Sequence, residues 1–183
     1  MLTRLPAILR YGSIMTRSAS LVLALAVTML PAEPLFATSK PSLAPVLAAS
    51  EGWLNGRASA ASLEGKVVIV DVFTFACINC KNVVPNLRAI NAGRAKDVAI
   101  VGIHSPESPY ERERANVVDT LKRQGIVWPV AFDNSFAIWN AYGVSAWPTQ
   151  LVFDRHGRLR KTIVGDSQDD ELNAAISTLV AEK

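Results

Sequence analysis

Residues 77–85 read Cys77-Ile78-Asn79-Cys80-Lys81-Asn82-Val83-Val84-Pro85, and they hold both cysteines of a 183-residue chain. Just before them, Lys66 to Phe73 carries a β-branched apolar run interrupted only by Asp71, the pattern of a strand buried on both faces of a parallel or mixed sheet. After them, Cys80 to Lys96 places Val83, Val84, Leu87 and Ile90 at helical spacing. The cysteines therefore sit where a buried strand hands over to a helix. A bridge across two intervening residues closes almost no loop and would stabilise the fold little. The spacing suits chemistry better: a thiol at a helix N-terminus feels the partial positive charge of the unpaired amides, which favours its thiolate. Cys77 is expected to be the exposed nucleophile and Cys80, one turn in, the buried resolving thiol.

Outward from this junction, strand and helix patterns alternate. Asp97 to Ile103 is a second buried strand, and Glu111 to Gln124 a charged amphipathic helix with Val118 and Leu121 inward, stopped by Gly125. Trp128 to Phe132 reads as a short strand and Asn134 to Tyr142 as a short helix. Thr149–Phe153 and Leu159–Val164 flank Asp154-Arg155-His156-Gly157-Arg158, a hairpin signal. Ser167, with Asp170 three residues on, opens a last helix that carries Leu172, Ile176, Leu179 and Val180 on one face. The order implies one three-layer α/β domain with a central mixed sheet flanked by helices.

The stretch from Cys77 to Pro85 resembles the active-site helix of the thioredoxin-like superfamily, in which a Lys follows the second Cys and a Pro lies five residues after it. Asp71 stands where that family keeps a buried carboxylate. Trp147-Pro148-Thr149 is similar to its cis-proline loop, Leu151 to Asp154 with Gly157 to the next strand and turn, and Gly165 to the glycine after the final strand. The chain is longer than thioredoxin between Ile103 and Trp147, by a helix and a strand before the cis-proline loop. With Trp53-Leu54-Asn55 ahead of the first strand, that layout resembles the exported redoxin or TlpA-like branch. The Cys77–Cys80 motif together with His104-Ser105-Pro106-Glu107 is similar to the thioredoxin-like domain attached to DipZ-type membrane electron carriers.

The resemblance implies a thiol–disulfide oxidoreductase of the protein-disulfide reductase type. It assigns catalysis to Cys77, Cys80 and Asp71, with Asp71 taking the Cys80 proton through a water. Trp147, Pro148 (in a cis peptide), Ile78 and Asn79 would line the substrate groove. No cofactor is implied, since the Cys77–Cys80 disulfide carries both electrons. Partners would be protein thiols or disulfides and a membrane-bound or periplasmic thiol donor. The chain also departs from the pattern: Ala76 and Phe73 replace tryptophans, Val83 replaces the acidic residue of many cytochrome-c-maturation reductases, and Ile78-Asn79 replaces Gly-Pro. Such an intervening pair bears on whether the couple reduces or oxidises.

Two other chemistries match in part. Thr74-Phe75-Ala76-Cys77 has the Thr-x-x-Cys spacing of peroxiredoxins, but Val70 stands where their proline would be. A thioredoxin-like copper(I) chaperone would pair the soft thiolates with His104 or His156, which lie in no specific ligand motif. Lys81, Glu107, His104 and His156 otherwise read as surface or capping residues. No phosphate-binding, nucleic-acid-binding or Ser-His-Asp pattern is present.

The bulk numbers complete the picture once they are located. Residues 1–37 contain Arg4, Arg10 and Arg17, then a 12-residue apolar run from Ala19 to Leu30, then small residues and prolines. This is the layout of a signal peptide, with cleavage expected after Ala37 or Ala32. Twelve helical residues span about 18 Å, short of a bilayer core of about 30 Å, so membrane attachment is expected only if the segment stays uncleaved. Residues 38–50 read as a Pro/Ala/Ser-rich tether and 51–183 as the folded domain. Without residues 1–37 the formal charge of +3 becomes sixteen basic against fifteen acidic residues, so bulk charge selects no partner. The expected location is the periplasm or another exported compartment.

Overall fold

The computed structural model describes residues 41–182, so the signal-peptide reading of residues 1–37 lies outside the described residues. Its centre is β2 (Val67–Phe73), every residue of which is buried. Strand β3 (Val98–His104) pairs parallel to β2, and β4 (Val130–Phe132) pairs parallel to β3. On the other side, β5 (Thr149–Phe153) runs antiparallel to β2 and β6 (Leu159–Val164) antiparallel to β5. The two-residue β1 (Trp53–Leu54) closes the far edge against β4, giving the order β1-β4-β3-β2-β5-β6.

Alternation along β2 divides the core. Val67, Ile69 and Phe73 face α3 (Ile78–Arg94), α5 (Arg114–Gln124) and α7 (Asp169–Ala181). Val68, Val70 and Val72 face α1 (Ala44–Leu47), α2 (Ala60–Leu63) and α6 (Ala137–Tyr142). This is the period of two that a pleated strand requires, with apolar side chains on both faces. The mixed sheet, the helices on both faces and the added helix and strand before residue 147 agree with the architecture read from the sequence.

Four local expectations are corrected. From Pro41 onward the tether is part of the domain: Ser42 bridges Arg158, Val46 is fully buried, and the Tyr142 hydroxyl donates to the Ser42 carbonyl at 2.7 Å. Leu43, Val46 and Leu47 form an apolar stripe that the Pro/Ala/Ser composition conceals, and Pro45 lies in the first turn, where its missing N–H costs nothing. The helix expected over 111–124 is broken at Glu113 into α4 (Pro109–Arg112) and α5. Within α5 the buried valine is Val117, while Val118 is exposed. Helix α7 starts at Asp169 without a side-chain cap, and Ser167 adopts φ +60°. Three acidic residues in its first turn complement the helix dipole instead.

Gly102 on β3 is a close-approach position. A Cβ there would lie 2.9 Å from Val130 Cγ2 and 3.1 Å from Phe73 Cε1, both on buried and conformationally stiff side chains. Gly102→Ala is therefore expected to overpack this face and lower stability by about 1–3 kcal/mol in urea unfolding.

Candidate active site

Strand direction brings the relevant loops to one end of the sheet. The carboxyl ends of β2 and β3 and the amino end of β5 coincide, because β3 is parallel and β5 antiparallel to β2. The 74–77 loop, the 105–108 loop and the Trp147–Pro148 segment thus emerge side by side. This is the end at which open α/β sheets place their ligands.

Cys77 is the N-cap of α3, and its sulfur accepts a hydrogen bond from the Cys80 amide at 3.4 Å. The helix N-terminus thereby points a donor at the atom that must carry negative charge when it attacks. Cys77 is partly exposed, whereas Cys80 is 3% exposed; both are free thiols. Burial pushes the Cys80 thiol far above its ordinary value. A backbone hydrogen bond at Thr74 opposes that shift, while Cys77 and Asp71 reinforce it. Between the cysteines, Ile78 and Asn79 are exposed, Ile78 by 67%. Lys81 is exposed on the helix, and Pro85 lies inside it, removing one helical N–H.

Asp71 lies on the α3-facing side of β2 and is 3% exposed. Among the described residues its one side-chain hydrogen-bond partner is Gln150, directly across the β2–β5 ladder, whose amide donates to Oδ1 at 3.2 Å. Burial raises the carboxyl from 3.8 to about 7, and the Gln150 bond holds it from going higher. Sequence reasoning did not single out Gln150; the register between residues 71 and 150 is the signal that reveals it.

The Trp147–Pro148 peptide bond is cis. The Trp147 indole donates to the Ser105 carbonyl at 3.0 Å and packs on Trp139 with ring centroids 4.5 Å apart. Ser105 in turn donates through its hydroxyl to Asp133, which also accepts the amides of Ile138 and Trp139 at the start of α6.

His104 is not a surface residue. It is fully buried, stacked on Phe75 with centroids 5.6 Å apart and edge-on to Phe73. Burial lowers its imidazole to about 4, against the raising effect of Glu111. Both ring nitrogens lack hydrogen-bond partners among the described residues. His156 sits in the β5–β6 turn at the opposite end of the sheet. Among the described residues no group of three or more His, Cys, Asp or Glu side chains is placed to hold a metal ion. The Thr74 hydroxyl donates to Glu111. Glu111, 1% exposed, is a buried carboxylate at the start of the stretch whose pattern reads as a charged amphipathic helix. The Ser108-x-x-Glu111 capping box, with Pro109 after the serine, was its signal.

The sheet order, the placement of α3 and the cis-proline loop define a thioredoxin-like fold. A solved thioredoxin-like protein in its oxidized form matches with a TM-score of 0.71 at 25% identity, over 79% of this chain and 97% of its own. The chain belongs to the Redoxin family, whose pattern it matches over residues 54–177. Among curated relatives, Protein DipZ of Mycobacterium bovis is 34% identical over 128 residues, which are 67% of this chain and 18% of DipZ. The chain thus spans less than a fifth of that protein. The thiol-disulfide oxidoreductase YkuV of Bacillus subtilis is 25% identical over 139 residues, 75% of this chain and 94% of YkuV.

The raised Asp71 carboxyl makes a signed prediction about stability. A carboxyl that is harder to ionise folded than unfolded favours folding fully below its unfolded value and loses that contribution as pH rises through about 7. Asp71→Asn should therefore gain stability over the wild type progressively between pH 4 and 7. The gain should level off at about 4 kcal/mol in denaturant unfolding at pH 8. A difference independent of pH would contradict the assignment.

Proposed function

We propose that the protein is a thiol–disulfide oxidoreductase that exchanges disulfides with protein thiols through Cys77 and Cys80, and that it works as a reductase. The observation that carries this reading is the asymmetry of the two sulfurs. One is partly exposed and capped by a helix amide, the other buried one turn away beside a desolvated carboxyl. Such an arrangement separates an attacking thiolate from a thiol held protonated until it is needed.

The Cys77 thiolate attacks one sulfur of a substrate disulfide. That S–S bond breaks, one substrate thiolate leaves, and a mixed disulfide forms. Cys80 then gives its proton to Asp71 through a water and attacks Cys77. The mixed disulfide breaks, the second substrate thiolate leaves, and the Cys77–Cys80 disulfide remains. The two electrons have passed to the substrate, and no further cofactor is needed. A membrane-bound or periplasmic thiol donor returns the enzyme to its dithiol. Ile78, Asn79, Trp147 and Pro148 form the surface on which an extended substrate segment lies. The N-terminal basic and apolar segment supports export to the periplasm with cleavage after Ala37 or Ala32.

Insulin-disulfide reduction should be lost in Cys77→Ser, and Cys80→Ser should accumulate mixed disulfides with partner proteins. Turnover that survives Cys77→Ser would sink the mechanism. The equilibrium potential against glutathione decides direction: a value near about −270 mV fits a reductase, and one near about −120 mV an oxidant. In Asp71→Asn, resolution of the mixed disulfide should slow and lose its rise through pH 7. Terminal sequencing of the protein recovered from the exported fraction should begin at residue 38 or 33; a terminus at Met1 would refute cleavage.

A further inference from the structure

The buried carboxylate of Glu111 divides its two oxygens between two loops. Oε1 accepts the Thr74 hydroxyl and the Ala76 amide, the latter at 3.2 Å, on the segment that ends at Cys77. Oε2 accepts the amides of Glu107 at 3.0 Å and Ser108 at 2.8 Å, and the Ser108 hydroxyl at 2.9 Å. Glu111 takes part in none of the ion pairs among the described residues. Five donors, rather than a cation, satisfy its charge. Burial alone would raise this carboxyl, but the hydrogen bonds from Thr74, Ser108 and the Ala76 and Ser108 amides hold it below its ordinary value. The second loop begins at Ser105, whose amide donates to the Phe73 carbonyl and whose carbonyl receives the Trp147 indole.

We propose that Glu111 is a positioning residue for disulfide exchange. It clamps the loop that delivers Cys77 to the loop that holds Trp147, so that the nucleophile meets a polypeptide disulfide lying along the Trp147–Pro148 edge. The proposal rests on the dithiol function above and adds how the site is held for polypeptide substrates. A carboxylate is suited to this because it is acceptor-only on both oxygens. A glutamine of the same shape has one acceptor and one donor, so it can serve one loop but not both. A small disulfide needs only the sulfur of Cys77, whereas a polypeptide needs the sulfur and the groove wall in register, and a misplacement of about 1 Å can cost on the order of a hundredfold in rate.

The test compares kcat/KM for insulin with that for the small aromatic disulfide dithiobis(nitrobenzoate). Glu111→Gln should lower the insulin value about tenfold more than the small-disulfide value. Thr74→Val and Ser108→Ala, which remove one donor from each side, should show the same selectivity. Their double variant should lose less than the product of the single losses, because both act through one group. Equal losses on the two substrates, or single losses that simply multiply, would overturn the clamp and leave Glu111 a stability residue. Amide hydrogen exchange supplies a readout that needs no turnover. In Glu111→Gln, either the Ala76 amide or the Glu107 and Ser108 amides should exchange about tenfold faster, as expected when one loop loses its acceptor. Where that variant does not fold, faster exchange at Ala76 in Ser108→Ala carries the same test, and unchanged exchange refutes the proposal. Wild-type protein inactive on both substrates would refute the dithiol function, while the exchange data would still decide the clamp.

Discussion

Strand β2 constrains everything at the site. Buried along its whole length and paired on both sides, it satisfies its backbone groups through two ladders of opposite sense, parallel to β3 and antiparallel to β5. A one-residue slip in either ladder would turn Val68, Val70 and Val72 to the wrong face and move Asp71 away from Cys80. The same pairing sets Asp71 opposite Gly102 on one side and Gln150 on the other. The close packing at Gly102 and the single donor at Gln150 are thus two results of one register. The loops that leave this end of the sheet inherit their spacing from it, and tight packing lets them stay where the strands put them.

Asp71 and Glu111 are both buried close to this end, and the fold treats them oppositely. Among the described residues Asp71 has one side-chain donor, so desolvation wins and its carboxyl is raised to about 7. Glu111 is also hidden from solvent but collects five donors from the 74–76 and 107–108 segments, so the ionised form wins. Glu111 meets a larger set of donors and a smaller desolvation cost, and the two effects act in the same direction. It matches the tasks proposed for each: a group that must exchange a proton needs balanced forms, and a group that fastens loops must stay charged.

Much of this was legible in the sequence, for identifiable reasons. The buried strands, α3 and the 149–164 hairpin announce themselves through periodicity and turn residues, which are local signals. Cys77, Cys80 and Asp71 stood out because each is chemically out of place in its surroundings: thiols at a helix start, an acid in an apolar run. Gln150 and Glu111 did not, since each looks ordinary in its own segment and matters only through a partner 79 or 37 residues away. His104 was misread for a related reason, because a histidine buried among Phe73, Phe75 and Phe132 leaves no mark beside its own residue. The packed segment after Pro41 was hidden by composition: its Leu43, Val46 and Leu47 are too few to stand out among alanines and prolines.

The departures from thioredoxin around Cys77 take on meaning in this frame. With Ala76 in place of tryptophan, the residue before the nucleophile is small and exposed, and its side chain cannot wall the groove. Under the proposed function, that duty passes to aromatic groups from elsewhere. Trp147 is tied to Ser105, and Tyr110, 62% exposed, lies edge-on to Phe75 with centroids 5.7 Å apart. Tyr110 belongs to α4, the turn that Glu111 anchors, so the extra chain before the cis-proline loop contributes more than length. It brings an exposed aromatic ring against Phe75 in the loop of Cys77, together with the carboxylate whose hydrogen bonds reach that loop. A wall built from a separate segment must be fastened to the nucleophile's loop, whereas a wall built from the adjacent residue need not be. Under the proposed clamp, the small residue before Cys77 and the five-donor carboxylate of α4 answer one need.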